Sequence, residues 1–285
     1  MLCHGRQSGF ILLMVLVVLA LAGGIMVTSA RRSASLAMLA VGEQEQLQLR
    51  WGSLSCRAAA LAQAETILAQ QEETSGAPQP VVTGDADLGG LRFHLVIADE
   101  QAKLDVNRIQ NDLGSGVLME TLQKVQATRR DALAVDLSPH ADATKGGRLY
   151  SSLEQVLAVR HPSQLLQAGQ EPESISSDLT CYGVAVNLAR VKPSVLAVAL
   201  QGVLNDSDVA KILALRAKQK SITLADVYTA LKLPQSRQAK LSGRVADRSR
   251  CHSVWVIAYG RSRPWYSFSA AEDGPDGSEW SFTWP

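Results

Sequence analysis

The alternation of apolar and polar positions changes character several times along the chain, and each change predicts a different element. Residues 10–30 carry no charged side chain. As a helix this run is about 30 Å long, the thickness of a bilayer's hydrocarbon core. From 33 to 73 there is no proline, and the only glycines are Gly42 and Gly52. Leu47, Trp51, Leu54, Ala58, Leu61 and Leu68 recur at steps of three, four and seven, with glutamines at other positions. That spacing predicts one amphipathic helix over 31–73, continuing from the apolar run.

Residues 74–90, rich in Gly, Pro, Asp and Thr, read as a linker. Leu91, Phe93, Leu95 and Ile97 then alternate with polar or smaller residues, which predicts a strand. Residues 98–101 read as a tight turn and 102–107 as the returning strand, giving a hairpin over 91–107. From 108 to about 235 the pattern is helical, with apolar positions such as Val117, Leu118, Leu122 and Val125. Ser151 and Glu154 are spaced as a capping box at the start of a short helix. Residues 251–259, 265–270 and 279–284 are β-branched and aromatic and read as three C-terminal strands. The fold class is α+β: a long N-terminal helix, part transmembrane and part amphipathic, packed on an antiparallel sheet. A large helical domain is inserted between the strands.

Lys and Arg total 28 against 27 Asp and Glu, so no net field favours nucleic acid or anionic lipid. The four cysteines, Cys3, Cys56, Cys181 and Cys251, form no CxxC, and with five scattered histidines no metal-ligand spacing is visible. Cys56 falls on the stem helix, where it offers a cross-linking handle. Cys181 and Cys251 are either a disulfide, if the compartment is oxidising, or two buried thiols. Calcium needs six to eight oxygens, and the polar loop 136–147 supplies only Asp136 and Asp142, so neither is nominated as a ligand. Whether any metal binds is left open, and no cofactor is implied.

Two readings of the N-terminus stay open on composition. It fits a signal anchor. It fits a cleaved secretory signal, with Ala20-Leu21-Ala22 as the small-x-small site. Arg6 before the run and Arg31 and Arg32 after it leave the orientation undecided by charge.

The short leader ending in Gly9, followed at once by Phe10 and an apolar helix, resembles the prepilin cleavage site of type IV pilins and type II secretion pseudopilins. The resemblance implies that a prepilin peptidase cuts between Gly9 and Phe10 and methylates the new amine. Counting from Phe10, the fifth residue is Met14, where most pseudopilins carry Glu. An unpaired carboxylate in hydrocarbon costs several kcal/mol, and a subunit with no neighbour ahead of it has no amine to pair with. This absence resembles the general secretion pathway protein K family, the minor pseudopilins at the pilus tip. The run from Asp99 to Asn107 resembles that family's Asp-Glu-x-Gly-Lys-x-x-x-Asn stretch, with Ala102 where Gly is usual.

From the resemblance follow a leader at 1–9, a transmembrane helix at 10–30 and a stem at 31–73. A pilin-like sheet would be built from 91–107 and 251–285, with an inserted helical domain at 108–235. The implied location is the inner membrane, single-pass, with the C-terminal domain in the periplasm. The implied partners are other minor pseudopilins, the major pseudopilin, the prepilin peptidase and the inner-membrane secretion platform. The implied work is to cap or initiate a pseudopilus that drives export through the outer membrane.

The rival is a membrane-anchored helix-hairpin-helix protein of DNA uptake or type IV pilus biogenesis. Residues 186–216 resemble that module, but Gly202-Val203 is followed by Leu204 where a second Gly is usual. Asp206 and Asp208 would also oppose a phosphate, so a nucleic-acid partner is not expected. No GxSxG, HExxH, P-loop or dinucleotide fingerprint appears, so no catalytic residue is named and an enzyme is not expected.

Overall fold

The computed structural model describes residues 7–126, 133–138, 149–159, 162–166, 175–183, 185–219, 222–260, 264–273 and 278–284. The chain divides into two compact units, Met1–Trp51 and Gly52–Pro285. The described part of the first unit is helical throughout, formed by helix α1, which spans Gln7–Ala62. The first proline of the chain is Pro78, so nothing in this stretch removes a backbone donor from the helix. Thr28, within the apolar run, returns its hydroxyl to the carbonyls of Gly24 and Ile25 and so satisfies itself on the helix.

In the second unit α1 ends at Ala62 and a second helix, α2, spans Ala64–Ser75. Gly76 closes α2 in the left-handed conformation, φ 70°, its N–H bonding the Glu72 carbonyl. Strands β1 (Val81–Leu88) and β2 (Leu91–Asp99) follow, then a 3₁₀ turn at Glu100–Ala102, the two-residue strand β3 (Leu104–Asp105) and helix α3 (Val106–Gln126). Short helices α4 (Leu153–Val156), α5 (Ser163–Leu166) and α6 (Ile175–Asp178) lead to β4 (Leu179–Thr180) and β5 (Val186–Asn187). Helices α7 (Pro193–Ala199), α8 (Asp206–Lys218), α9 (Leu224–Leu231) and α10 (Gln235–Ser242) precede β6 (Val245–Ala246). The chain finishes with β7 (Cys251–Tyr259), β8 (Pro264–Glu272) and β9 (Glu279–Trp284).

The main sheet is antiparallel, in the order β1-β2-β7-β8-β9. Its neighbours β2 and β7 lie far apart in sequence, and residues 104–246 leave and return between them. Two parallel two-stranded pairs, β3 with β4 and β5 with β6, stitch the start and end of this insert.

Pleating gives the sheet two unlike faces. Phe93, Leu95, Ile97, Val254, Val256, Ala258, Ser267, Ser269 and Ser281 share one, by their pairing. The end of α1 lies on this face: the Gly52 backbone meets the Phe93 ring, and Arg57 donates to the Ser281 hydroxyl at 2.5 Å. The other face carries Trp255, Phe268, Trp280, Phe282 and Trp284. Tyr182 of the insert packs there, with ring centroids 5.3 Å from Phe268 and 5.1 Å from Trp280. Offset and tilted pairs at such distances add to the area buried. This aromatic face and the helices of the insert make one continuous core.

Three sequence expectations change. The linker 74–90 contains β1, and the hairpin is β1–β2 rather than 91–107. Residues 102–107 cannot return along β2, because β1 holds one edge of β2 and β7 the other. Asp99 also bends the chain into the 3₁₀ turn, its side chain accepting from the Gln101 N–H. The insert therefore runs from 104 to 246, not from 108 to 235.

On the stem, the face buried against the sheet is Ser53, Cys56, Ala60, Ala64 and Leu68, while Ala58 is exposed and Leu54 and Leu61 are half-buried. A helix lying close on a pleated surface needs small residues at the contact, so the bulkier stripe is displaced to another side. In α4, Glu154 does not close a capping box; Gln155 bonds the Ser151 N–H instead, at 2.6 Å. A capping box does form at α9, between Thr223 and Asp226.

Candidate functional site

Two features of the chain have a chemistry that packing alone does not require. The first is the N-terminal part of α1, taken within its own unit. The bond between Gly9 and Phe10 lies in the first turn of the helix. Phe10 is 62% exposed and Met14 59% exposed, and the large apolar side chains through Met26 and Val27 are open all round the helix. A helix apolar on every side belongs in a bilayer or among other apolar helices, since water on that surface costs about 25 cal/mol per Å². α1 is long and apolar enough to cross a membrane once.

The second is a buried polar joint in the other unit, where the chain leaves β2 and returns into β7. Asp99 is fully buried and yet its carboxylate is satisfied on both oxygens. Oδ1 accepts from the Gln101 N–H at 2.9 Å and the Ser249 hydroxyl at 2.6 Å; Oδ2 accepts from Asn187 Nδ2 at 2.7 Å and lies 3.5 Å from Arg190. Glu100 accepts from the Lys103 ammonium and from the Ser253 hydroxyl, all three side chains buried. Gln101 holds the Arg250 N–H through its amide oxygen at 2.5 Å. Asn107 accepts from the Leu149 and Tyr150 N–H groups at 2.9 and 2.7 Å. It donates to the Tyr150 and Cys181 carbonyls at 2.9 and 3.2 Å. In the stretch Asp99–Asn107, buried Asp99, Glu100, Gln101 and Asn107 each meet a partner brought from elsewhere in the fold, while Lys103 is held by Glu100 within the stretch. Ala102 fits where a Gly was expected, because the 3₁₀ turn keeps its φ out of the left-handed region.

Arg190 reaches the same joint from the insert. Its guanidinium meets Glu65 at 2.5 and 2.9 Å and Glu72 at 2.8 and 3.1 Å, both on α2. Burial works against the Arg190 charge, but the hydrogen bonds and charges of these carboxylates raise its pKa all the same. Partial burial likewise disfavours the charged form of Glu65, but hydrogen bonds from His252 and Arg190 outweigh it and hold the carboxyl at about 2. His252 sits with one ring nitrogen 3.0 Å from Glu65 and the other 3.9 Å from Asp273. Among the described residues no hydroxyl bonds His252, so the cluster does not assemble a hydroxyl nucleophile with a base.

Arg190, Glu65 and Glu72 were absent from the sequence reading. The signals that could have found them are a lone charge, Arg190, in the otherwise uncharged stretch 179–191 and two glutamates seven apart, hence on one helix face.

The remaining expected residues fall as follows. Cys181 and Cys251 are buried thiols that form no disulfide; the Cys251 Sγ is 3.7 Å from the Tyr182 carbonyl, and burial pushes its pKa up. Cys56 is buried against the sheet rather than offered outward, so it is not a cross-linking handle. Asp136 accepts from the Ser138 N–H, Asp142 and Cys3 lie outside the described residues, and no group of acids, histidines and cysteines among the described residues could hold a metal. In the helix-hairpin-helix segment, α7 and α8 flank Gly202 at φ 80°. At the start of α8 the Asn205 side chain accepts from the Asp208 N–H at 2.9 Å, with Asp206 and Asp208 beside it. Arg216 and Arg244 spend donors on backbone carbonyls of the insert, those of Val191 and Gln201 among them. The hairpin's amides and these two arginines are turned to holding the fold.

No protein-family model matches the chain, and no curated protein matches it. Among solved structures it is similar to a chain of the GspK-GspI-GspJ complex from the enterotoxigenic Escherichia coli Type 2 Secretion System. The two are 12% identical, with a TM-score of 0.44, over 86% of this chain and 99% of that chain.

Proposed function

We propose that this chain is a minor pseudopilin of a type II protein secretion system, placed at the tip of the pseudopilus. The observation that carries the reading is the charge-free surface of α1 from Phe10 onward. It begins one residue after Gly9 and runs to Ala30 with its large apolar side chains exposed, and α1 itself goes on to Ala62. A cleaved signal needs no such continuity. A subunit that stacks by its helix does.

In this reading the prepilin peptidase removes residues 1–9 and methylates Phe10. The helix anchors the chain in the inner membrane, with the C-terminal domain in the periplasm. Other minor pseudopilins and the major pseudopilin pack along the stem, where Leu47 and Trp51 are exposed. Met14 suits the leading position, since a carboxylate there would have no amine to meet. The role is mechanical and non-enzymatic: to cap and initiate the fibre that the inner-membrane platform extends.

The test is the mature N-terminus, read by mass spectrometry after co-expression with a prepilin peptidase. The expected result is a chain starting at N-methylated Phe10, and a Gly9→Leu variant that keeps its leader. Cleavage after Ala22, or loss of the leader in the Gly9 variant, would overturn the reading.

A further inference from the structure

We infer that Arg190 is a clamp that holds helix α2 to the inserted domain across the end of the sheet. The insert meets the sheet on both sides at this end. On the aromatic face Tyr182 stacks on Phe268 and Trp280. Toward the opposite face Arg190, eight positions further along, reaches α2 and meets two of its carboxylates. The sheet end is gripped between these two residues.

The chemistry of the grip is specific. The guanidinium fork matches two carboxylates at once, with both Glu65 and Glu72 contacted through paired bonds. Glu72 has a second task, accepting from the Gln79 N–H at 3.1 Å where the chain turns into β1. Arg190 therefore fixes α2, and through Glu72 the approach to the sheet's edge strand. Asp99 and Asn187 complete the site from β2 and β5, so the cation is placed by residues of three separate elements. By contrast, the rest of α2 meets the sheet through a narrow line of contacts in which only Ala64 and Leu68 are buried. A short helix with so little buried apolar surface has weak hold of its own. This inference stands apart from the secretion reading and does not need it.

The experiment is hydrogen exchange on the full chain in detergent micelles, comparing the native sequence with Arg190→Met and with the triple variant Arg190→Met/Glu65→Gln/Glu72→Gln. The triple variant also removes the two carboxylates that Arg190→Met alone would leave without their cation. In both variants α2 amides are expected to exchange at least tenfold faster, with β7 and β8 amides unchanged. Return of native protection in α2 in the triple variant would overturn the clamp, because Arg190 would then only neutralise charge. Unchanged exchange in Arg190→Met would overturn it as well. So would an equal rise across α2, β7 and β8 in both variants, since Arg190 would then stabilise the whole unit and not tie one helix.

Discussion

Gly52 and Phe93 fit together because Gly52 has no side chain. A Cβ at residue 52 would stand 2.2 Å from Cζ of the Phe93 ring, and the ring is fully buried. Alanine in place of glycine inside a helix normally gains about 1 kcal/mol. Here overpacking, which typically costs about 1–3 kcal/mol, opposes it and is at the severe end of its range. Gly52→Ala should destabilise the folded domain by about 1–2 kcal/mol net in a denaturant titration. Adding Phe93→Leu should recover part of that loss, because the two residues share one space. A stabilising Gly52→Ala would show that the helix does not lie against β2 at this point.

Asn107 joins α3 to the loop before α4 and to the chain after β4, using all its hydrogen-bonding capacity in a buried place. Asn107→Ala leaves two N–H groups and two carbonyls without partners and is expected to cost about 2–4 kcal/mol. Asn107→Asp keeps the acceptors but loses the donors, so the Tyr150 and Cys181 carbonyls go unmet. It should not rescue the protein. Equilibrium unfolding followed by tryptophan fluorescence measures both.

The acid stability of the domain should carry the signature of Glu65. Its carboxyl sits at about 2 in the folded protein, against an ordinary value of 4.5. A carboxyl depressed by folding contributes stability that is fully present above 4.5 and is lost as pH falls from there toward 2. The denaturant midpoint should therefore drop across that window. In Glu65→Gln the drop should be shallower, because one contributor is gone. A pH profile identical in the two proteins would contradict the contacts with His252 and Arg190.

Cys56, Cys181 and Cys251 are buried, and burial raises the thiol pKa of Cys56 and Cys251, so neither is readily the reactive thiolate. A water-soluble maleimide should label none of the three in the folded protein and all three after unfolding, without prior reduction. A mass lower by two hydrogens, with Cys181 and Cys251 unlabelled after unfolding, would show that they had paired.

Much of the sheet was legible. β9 alternates, so that every second side chain enters the aromatic core, whereas β7 is marked by its β-branched and aromatic run and is buried on both faces from Cys251 to Ala258. β1 was not legible: Thr83-Gly84-Asp85-Ala86-Asp87 is an edge strand with little to bury, and its composition is that of a loop. The stem's contact face was misread for a related reason. Large residues advertise themselves in a periodicity, whereas the side that touches the sheet is marked by small ones.

What the sequence determined by itself is local: a charge-free helix long enough for a bilayer, and strands marked by alternation or by β-branched and aromatic residues. These follow from side-chain chemistry within a few turns of chain. Tertiary structure alone decided that Asp99, Arg190, Glu65 and His252 meet at one joint. These side chains are spread over nearly two hundred residues, and only the pairing of β2 with β7 and the return of the insert bring buried Asp99 and Arg190 the partners that make their desolvation tolerable.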